Sequence, residues 1–146
     1  PGDRVYGVLP IAHVYGLASV CLSTLYAGAC LQLEARFTPQ ATLRALMDDG
    51  ITVLQGVPTM YARLLERIDS GGGPVAAPRL RILYAGGAPL PPSLKADAER
   101  IFGLPLHHGY GLTESSPTVT QTRLDDSPGR SGQRRTLQRC RRCNPR

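Results

Sequence analysis

A chain of 146 residues with 42% hydrophobic content is long enough for one buried core and too short for two ordinary domains. Its sixteen Gly and thirteen Pro follow no collagen-like period, and four Cys are far below the density of a secreted disulfide scaffold, so fibrous and disulfide-stapled classes are excluded. The net charge of +6 is local: residues 1–128 hold ten Lys and Arg against eleven Asp and Glu, whereas the last eighteen residues supply seven Arg and no acid.

No signal peptide is visible. The longest apolar stretch, residues 14–33, is interrupted by Ser19, Ser23, Thr24, Gly28 and Gln32, so no membrane span is expected and a reducing cytoplasm is the expected location. The chain opens Pro1-Gly2-Asp3 without an initiator Met and is expected to start inside a longer protein.

Residues 5–10 form a short apolar run closed by Pro10, the pattern of a buried strand, and a loop holding His13 follows. From Tyr15 to Tyr26 apolar residues recur at spacings of three and four up to Gly28, which predicts a buried helix, with residues 29–33 as the next strand. Thr38 and Pro39 open a helix as N-cap and first helical residue. Leu43, Leu46 and Met47 give it an apolar stripe, and Gly50 its stop. Residues 51–54 read as a strand. The turn Gly56-Val57-Pro58-Thr59 then leads into a helix with Met60, Leu64, Leu65 and Ile68 inward and Arg63 and Glu66 outward. Residues 70–74 read as a surface loop, 80–84 as a strand, and 91–102 as a helix stopped by Gly103, with Leu94, Ala98, Ile101 and Phe102 inside. Residues 104–107 and 119–122 complete the pattern as short strands. Alternating strands and helices predict an α/β layered unit with a mostly parallel sheet, and right-handed crossovers would gather the functional loops at the strand C-termini.

Three loops should meet there: residues 10–16, 85–90 and 108–116. Gly86 and Gly87 follow a strand directly, where a missing Cβ lets a flat ligand approach the backbone, although a double glycine taken alone is more often a tight turn. His107-His108-Gly109-Tyr110-Gly111-Leu112-Thr113-Glu114 is more specific. An aromatic ring between glycines can lie against a base, a Thr hydroxyl can donate to a phosphate oxygen, and the adjacent carboxylate can hold Mg²⁺. Taken alone, Thr113 and Glu114 also suit an ordinary helix N-terminus. His107 and His108 do not make a zinc pair, because adjacent strand residues point to opposite faces.

The run Tyr110-Gly111-Leu112-Thr113-Glu114 resembles the adenylate motif of the superfamily of acyl-CoA synthetases, coumarate-CoA ligases, firefly luciferase and nonribosomal peptide adenylation domains. Leu9-Pro10-Ile11-Ala12-His13-Val14-Tyr15-Gly16, Gly56-Val57-Pro58-Thr59 and Gly86-Gly87-Ala88-Pro89-Leu90 resemble the same family in the same order. The likeness spans about residues 1–127 and sits nearest the fatty-acyl and aryl-CoA ligase branch. It implies part of the N-terminal domain of an enzyme that activates a carboxylic acid with ATP as an acyl-adenylate and passes the acyl group to coenzyme A. By resemblance, Gly86, Gly87, Ala88 and Pro89 form one wall of the adenine and acyl pocket, and Tyr110, between Gly109 and Gly111, packs on the base. Thr113 meets the α-phosphate, Glu114 holds Mg²⁺, and His13 flanks the acyl pocket near the reacting carboxylate. His108 stands where relatives often carry Asn, Asp or Gln toward the adenine amino group.

The resemblance also implies parts these residues do not supply: a Ser/Thr/Gly-rich phosphate loop with its Lys, a ribose-binding Asp and a C-terminal domain with its adenylation Lys. Inactivity of this chain by itself is therefore expected. Residues 1–128 are expected to form the partial AMP-binding domain. Residues 129–146, an Arg-rich tail, are expected to be disordered or the product of a shifted reading frame. The other reading is a non-catalytic remnant, or a basic nucleic-acid-binding protein acting through that tail. The tail lacks interleaved aromatics, and a single Cys140-x-x-Cys143 pair is weak evidence for zinc, so no nucleic acid partner is expected.

Overall fold

The computed structural model describes residues 2–71, 75–115 and 118–123. Six strands form one sheet: β1 (Arg4–Gly7), β2 (Cys30–Leu33), β3 (Val53–Gly56), β4 (Ile82–Ala85), β5 (Leu106–Gly111) and β6 (Thr118–Gln121), in spatial order β2-β1-β3-β4-β5-β6. The first five are parallel, and β6 runs antiparallel to β5. The predicted α/β class with a mostly parallel sheet is the observed one. Among the described residues no helix is long and apolar enough to cross a membrane.

Three helices cover one face: α2 (Pro39–Asp48), α3 (Pro58–Gly71) and α4 (Pro92–Phe102), with α2 against α3 and α3 against α4. Thr38 caps α2 through its side-chain oxygen, which accepts from the Ala41 N–H, and Pro39 occupies the first turn as predicted. Gly103 ends α4 in the left-handed conformation. The α3 stripe is the predicted one, joined by Tyr61, which is fully buried. Its hydroxyl lies 3.1 Å from the Leu54 carbonyl and 3.0 Å from the Tyr84 carbonyl, tying α3 to two adjacent strands.

The strand pleat decides what each face holds. Tyr6, Leu54, Leu83 and Leu106 occupy one face in register and are buried beneath the helices. Val53, Gln55, Ile82 and Tyr84 point to the other face, which, among the described residues, only one helical segment partly covers. That segment is a π-helix (Tyr15–Leu22) continued by the single α-turn α1 (Ser23–Tyr26).

Several expectations are corrected. The 15–26 helix buries only Gly16, Val20 and Thr24, while Leu17, Leu22, Leu25 and Tyr26 are exposed; its apolar residues lie on all sides, and one sheet face can bury only one stripe. On α2, Met47 is exposed, and Thr42 and Ala45 join Leu46 inside. Strand β1 stops at Gly7, before Pro10. Ser70 and Gly71 belong to α3 rather than to a loop. Strand β5 runs on through Gly111, so half of the expected 108–116 loop is strand, and Thr113–Ser115 is a single 3₁₀ turn. The Arg-rich tail lies outside the described residues.

At the N-terminal edge of the sheet, Asp3 accepts hydrogen bonds from Arg81, through Nε at 2.8 Å and through its terminal nitrogen, and from the Thr52 hydroxyl at 2.9 Å. Chiefly the Arg81 hydrogen bond, then that from Thr52, holds the Asp3 carboxyl below its ordinary value. This contribution is therefore complete at neutral pH and is lost as the pH falls below about 4, where the unfolded chain binds the proton more readily. Asp3→Asn should lower stability at pH 7 by about 1 kcal/mol or less, since the pair is largely solvated, and the difference from wild type should shrink in denaturant melts at acid pH. Tyr61→Phe should cost about 1–2 kcal/mol in the same melts at every pH below the tyrosine range.

Candidate functional site

The open sheet face and the π-helix enclose a cleft of about 1130 Å³. Its floor is Val53, Gln55, Ile82 and Tyr84, and its far wall includes Tyr15, Ser19 and Ser23. The Gln55 amide donates to the Ser19 carbonyl at 3.2 Å, fixing wall to floor. The mouth lies at the C-terminal ends of the parallel strands, where His13, Gly86, Gly87, Gly109, Tyr110, Gly111, Thr113 and Glu114 all line it. Three segments far apart in sequence meet there because parallel strands place all their following loops at one end.

Each segment is held by local bonds. The His13 N–H donates to Pro10 O at 3.1 Å, and the Leu17 N–H donates to His13 O at 2.9 Å, which carries the loop into the π-helix. Gly16 sits so close to this loop that a Cβ would lie 2.2 Å from the Pro10 carbonyl oxygen. The Tyr15 ring lies over Gly86, where a Cβ would be 3.0 Å from two ring carbons, and its hydroxyl points to the Gly56 carbonyl at 3.5 Å. Burial, and then the neighbouring Tyr84, push the Tyr15 hydroxyl well above the usual tyrosine range. Burial raises that of Tyr84 as well, so both remain neutral donors at physiological pH.

The turn bearing Thr113 and Glu114 is pinned by Ser115, whose hydroxyl accepts from the Leu112 N–H at 3.0 Å and donates to the Leu112 carbonyl at 2.9 Å. Thr113 and Glu114 themselves are exposed and line the cleft, and Tyr110, also lining it, is 55% exposed as a residue. Of the predicted site residues, Ala88, Pro89 and His108 do not line the cleft. Ala88 and Pro89 are exposed beyond its rim, and His108 follows the buried His107 on the opposite face of β5. Tyr15, Ser19, Gln55, Tyr84, Gln121 and Arg123 line it without having been singled out. Tyr84 was within reach of sequence reasoning, since it lies two residues before Gly86 in the strand that leads into that turn, and residues two apart share a face.

A mostly parallel sheet with helices packed on it and a glycine-rimmed cleft at the strand C-termini is a layered α/β unit. Residues 1–141 match the AMP-binding enzyme family, and the chain belongs to it. The match runs past residue 128 into the Arg-rich segment. The chain is 36% identical over 119 residues to feruloyl-CoA synthase of Amycolatopsis sp., covering 80% of this chain and 23% of that protein. It is 32% identical over 117 residues to long-chain-fatty-acid–CoA ligase of Bacillus subtilis, covering 80% and 20%. The ATP-bound structure of MatB from Rhodopseudomonas palustris is similar with a TM-score of 0.76 at 28% identity, over 86% of this chain and 24% of that one. The chain thus spans between a fifth and a quarter of the length of these relatives.

In an ordinary helical position Gly→Ala stabilises by about 1 kcal/mol. At Gly16 the sign should reverse, because the new Cβ meets a backbone oxygen at 2.2 Å and the 10–16 loop must move. A loss of about 1–3 kcal/mol in chemical denaturation is expected for Gly16→Ala.

Proposed function

We propose that this chain carries the nucleotide- and acid-facing part of an AMP-forming acid:thiol ligase. Such an enzyme joins a fatty or aryl carboxylic acid to the α-phosphate of ATP and passes the acyl group to coenzyme A. The observation that supports this most directly is the convergence of Tyr110, Thr113 and Glu114 on the cleft that also receives His13, Gly86 and Gly87. The residues present fit the groups required. Tyr110 offers an exposed ring between two glycines for the adenine, and the Thr113 hydroxyl is free to turn toward a phosphate oxygen.

Among the described residues no cluster of three or more acidic, His or Cys side chains could cage a metal, and Glu114 stands as a single exposed carboxylate at the mouth. Mg²⁺ suits such a place, since it is commonly held by one or two carboxylates together with phosphates and waters. When bound it would offset charge gathering on the phosphates. In the reaction a carboxylate oxygen bonds to the α-phosphorus as the bond to pyrophosphate breaks, and the thiol sulfur then replaces AMP at the acyl carbon. Within this cleft Thr113 would donate to the α-phosphate oxygens as the phosphorus becomes five-coordinate. His13, on the wall side of the same mouth, would face the acid. The names of the two curated relatives, one for an aryl and one for a long-chain fatty acid, support either acid class.

Titration calorimetry of the chain with Mg·ATP tests this reading. Saturable binding is expected, weakened at least about tenfold in Tyr110→Ala and in Glu114→Ala, consistent with loss of a stacking or charge-assisted contact. A folded wild-type chain that takes up no ATP, or variants that bind as well as wild type, would refute it.

A further inference from the structure

One cleft residue does something the nucleotide reading does not require of it. Tyr84 faces the cleft from β4, and β5 lies beside it with His107 as its register partner. The next β5 residue on the same face is Gly109. A Cβ there would sit 2.1 Å from the Tyr84 hydroxyl oxygen, so the phenol crosses β5 over a position that lacks a side chain. Beyond β5, Gly109 pairs with Gln121 of β6, and the Tyr84 hydroxyl donates to Gln121 Oε1 at 3.3 Å. One side chain therefore spans three strands. Its own backbone is held from the other face of the sheet by Tyr61, whose hydroxyl reaches the Tyr84 carbonyl.

The place of this span matters. On the side of Gly109 nearer His108, the residue after β6 is tied to β5 by the Thr122 N–H to the His108 carbonyl at 2.9 Å and by the His108 N–H to the Thr122 hydroxyl at 2.8 Å. On the other side the β5–β6 register shifts between Tyr110, opposite Thr120, and Gly111, opposite Thr118, so the regular ladder is interrupted beside the Tyr110 ring. We propose that Tyr84 is a positioning residue for the nucleotide half of the cleft: its ring across Gly109 and its bond to Gln121 fix β5 and β6 together at the residue preceding Tyr110. This rests on the nucleotide reading of the site. Gly109 then serves the protein's own packing as well as the ligand's approach.

The test compares the chain of residues 1–146 with its Tyr84→Phe, Gln121→Met and double variants, by amide hydrogen exchange and by Mg·ATP titration. Each single variant should speed exchange at residues 109–111 and 118–121 and weaken ATP about 3- to 10-fold, the worth of one hydrogen bond. The double variant should be no worse than either single, because both remove the same bond. Exchange in β3 should not change. Acceleration that spreads equally to β3 would mean simple destabilisation and overturn the proposal, as would unchanged exchange at 109–111. ATP affinity retained in Tyr84→Phe overturns the positioning role alone. A wild-type chain that binds no ATP overturns the nucleotide reading and this role with it.

Discussion

Side chains that alternate from one face of β3, β4 and β5 to the other divide this molecule into a packed half and an open half. Leu54, Leu83 and Leu106 go beneath α2, α3 and α4, while Val53, Gln55, Ile82 and Tyr84 are left to form a floor. A slip of one residue in β3 would put Gln55 in the core and Leu54 in the cleft. The Tyr61 hydroxyl guards against this, since it meets the carbonyls of Leu54 and Tyr84 on neighbouring strands from within the apolar layer. Register, core and floor are one constraint.

The glycines near the mouth take on a second meaning in this light. The sequence reading treats Gly86 as room for a flat ligand and Gly109 as a flank of the Tyr110 ring. In the fold much of that room is taken by the protein's own rings, Tyr15 over Gly86 and Tyr84 over Gly109. The missing Cβ atoms thus let aromatic side chains lie close to the sheet, and the ligand-facing surface they leave is partly phenolic. Gly16 has no such freedom to lend, because its clearance is filled by the Pro10 carbonyl.

The order of strands and helices could be read from the chain because apolar spacing, the Thr38 cap, the Gly103 stop and the α3 stripe are local signals. The convergence of His13, Gly86, Gly87, Tyr110, Thr113 and Glu114 could be read only through parallel topology together with the family resemblance. What escaped the sequence was decided by neighbours. Nothing local says which side of an all-round apolar helix meets the sheet, so the 15–26 segment was expected to be buried. The glycines of Gly109-Tyr110-Gly111 argue against a strand, yet pairing with β6 extends β5 through them. His108 falls on the wrong face for the cleft because β5 continues its pleat one residue beyond the buried His107. The polar partners of Tyr61 and Tyr84 are backbone and side-chain atoms on other elements, which no spacing rule reveals.

The wall opposite this well-tied floor is built differently. A π-helix closes wider rings than an α-helix, with bonds reaching five residues back, and its axis is less tightly filled, so each turn gains less from dispersion. Residues Tyr15–Leu22 form two such turns along the cleft, with little cover on their outer side. The cleft therefore sets a sheet packed from behind by three helices against a helical wall whose outer side is bare, joined to the sheet by the Gln55 bond to Ser19.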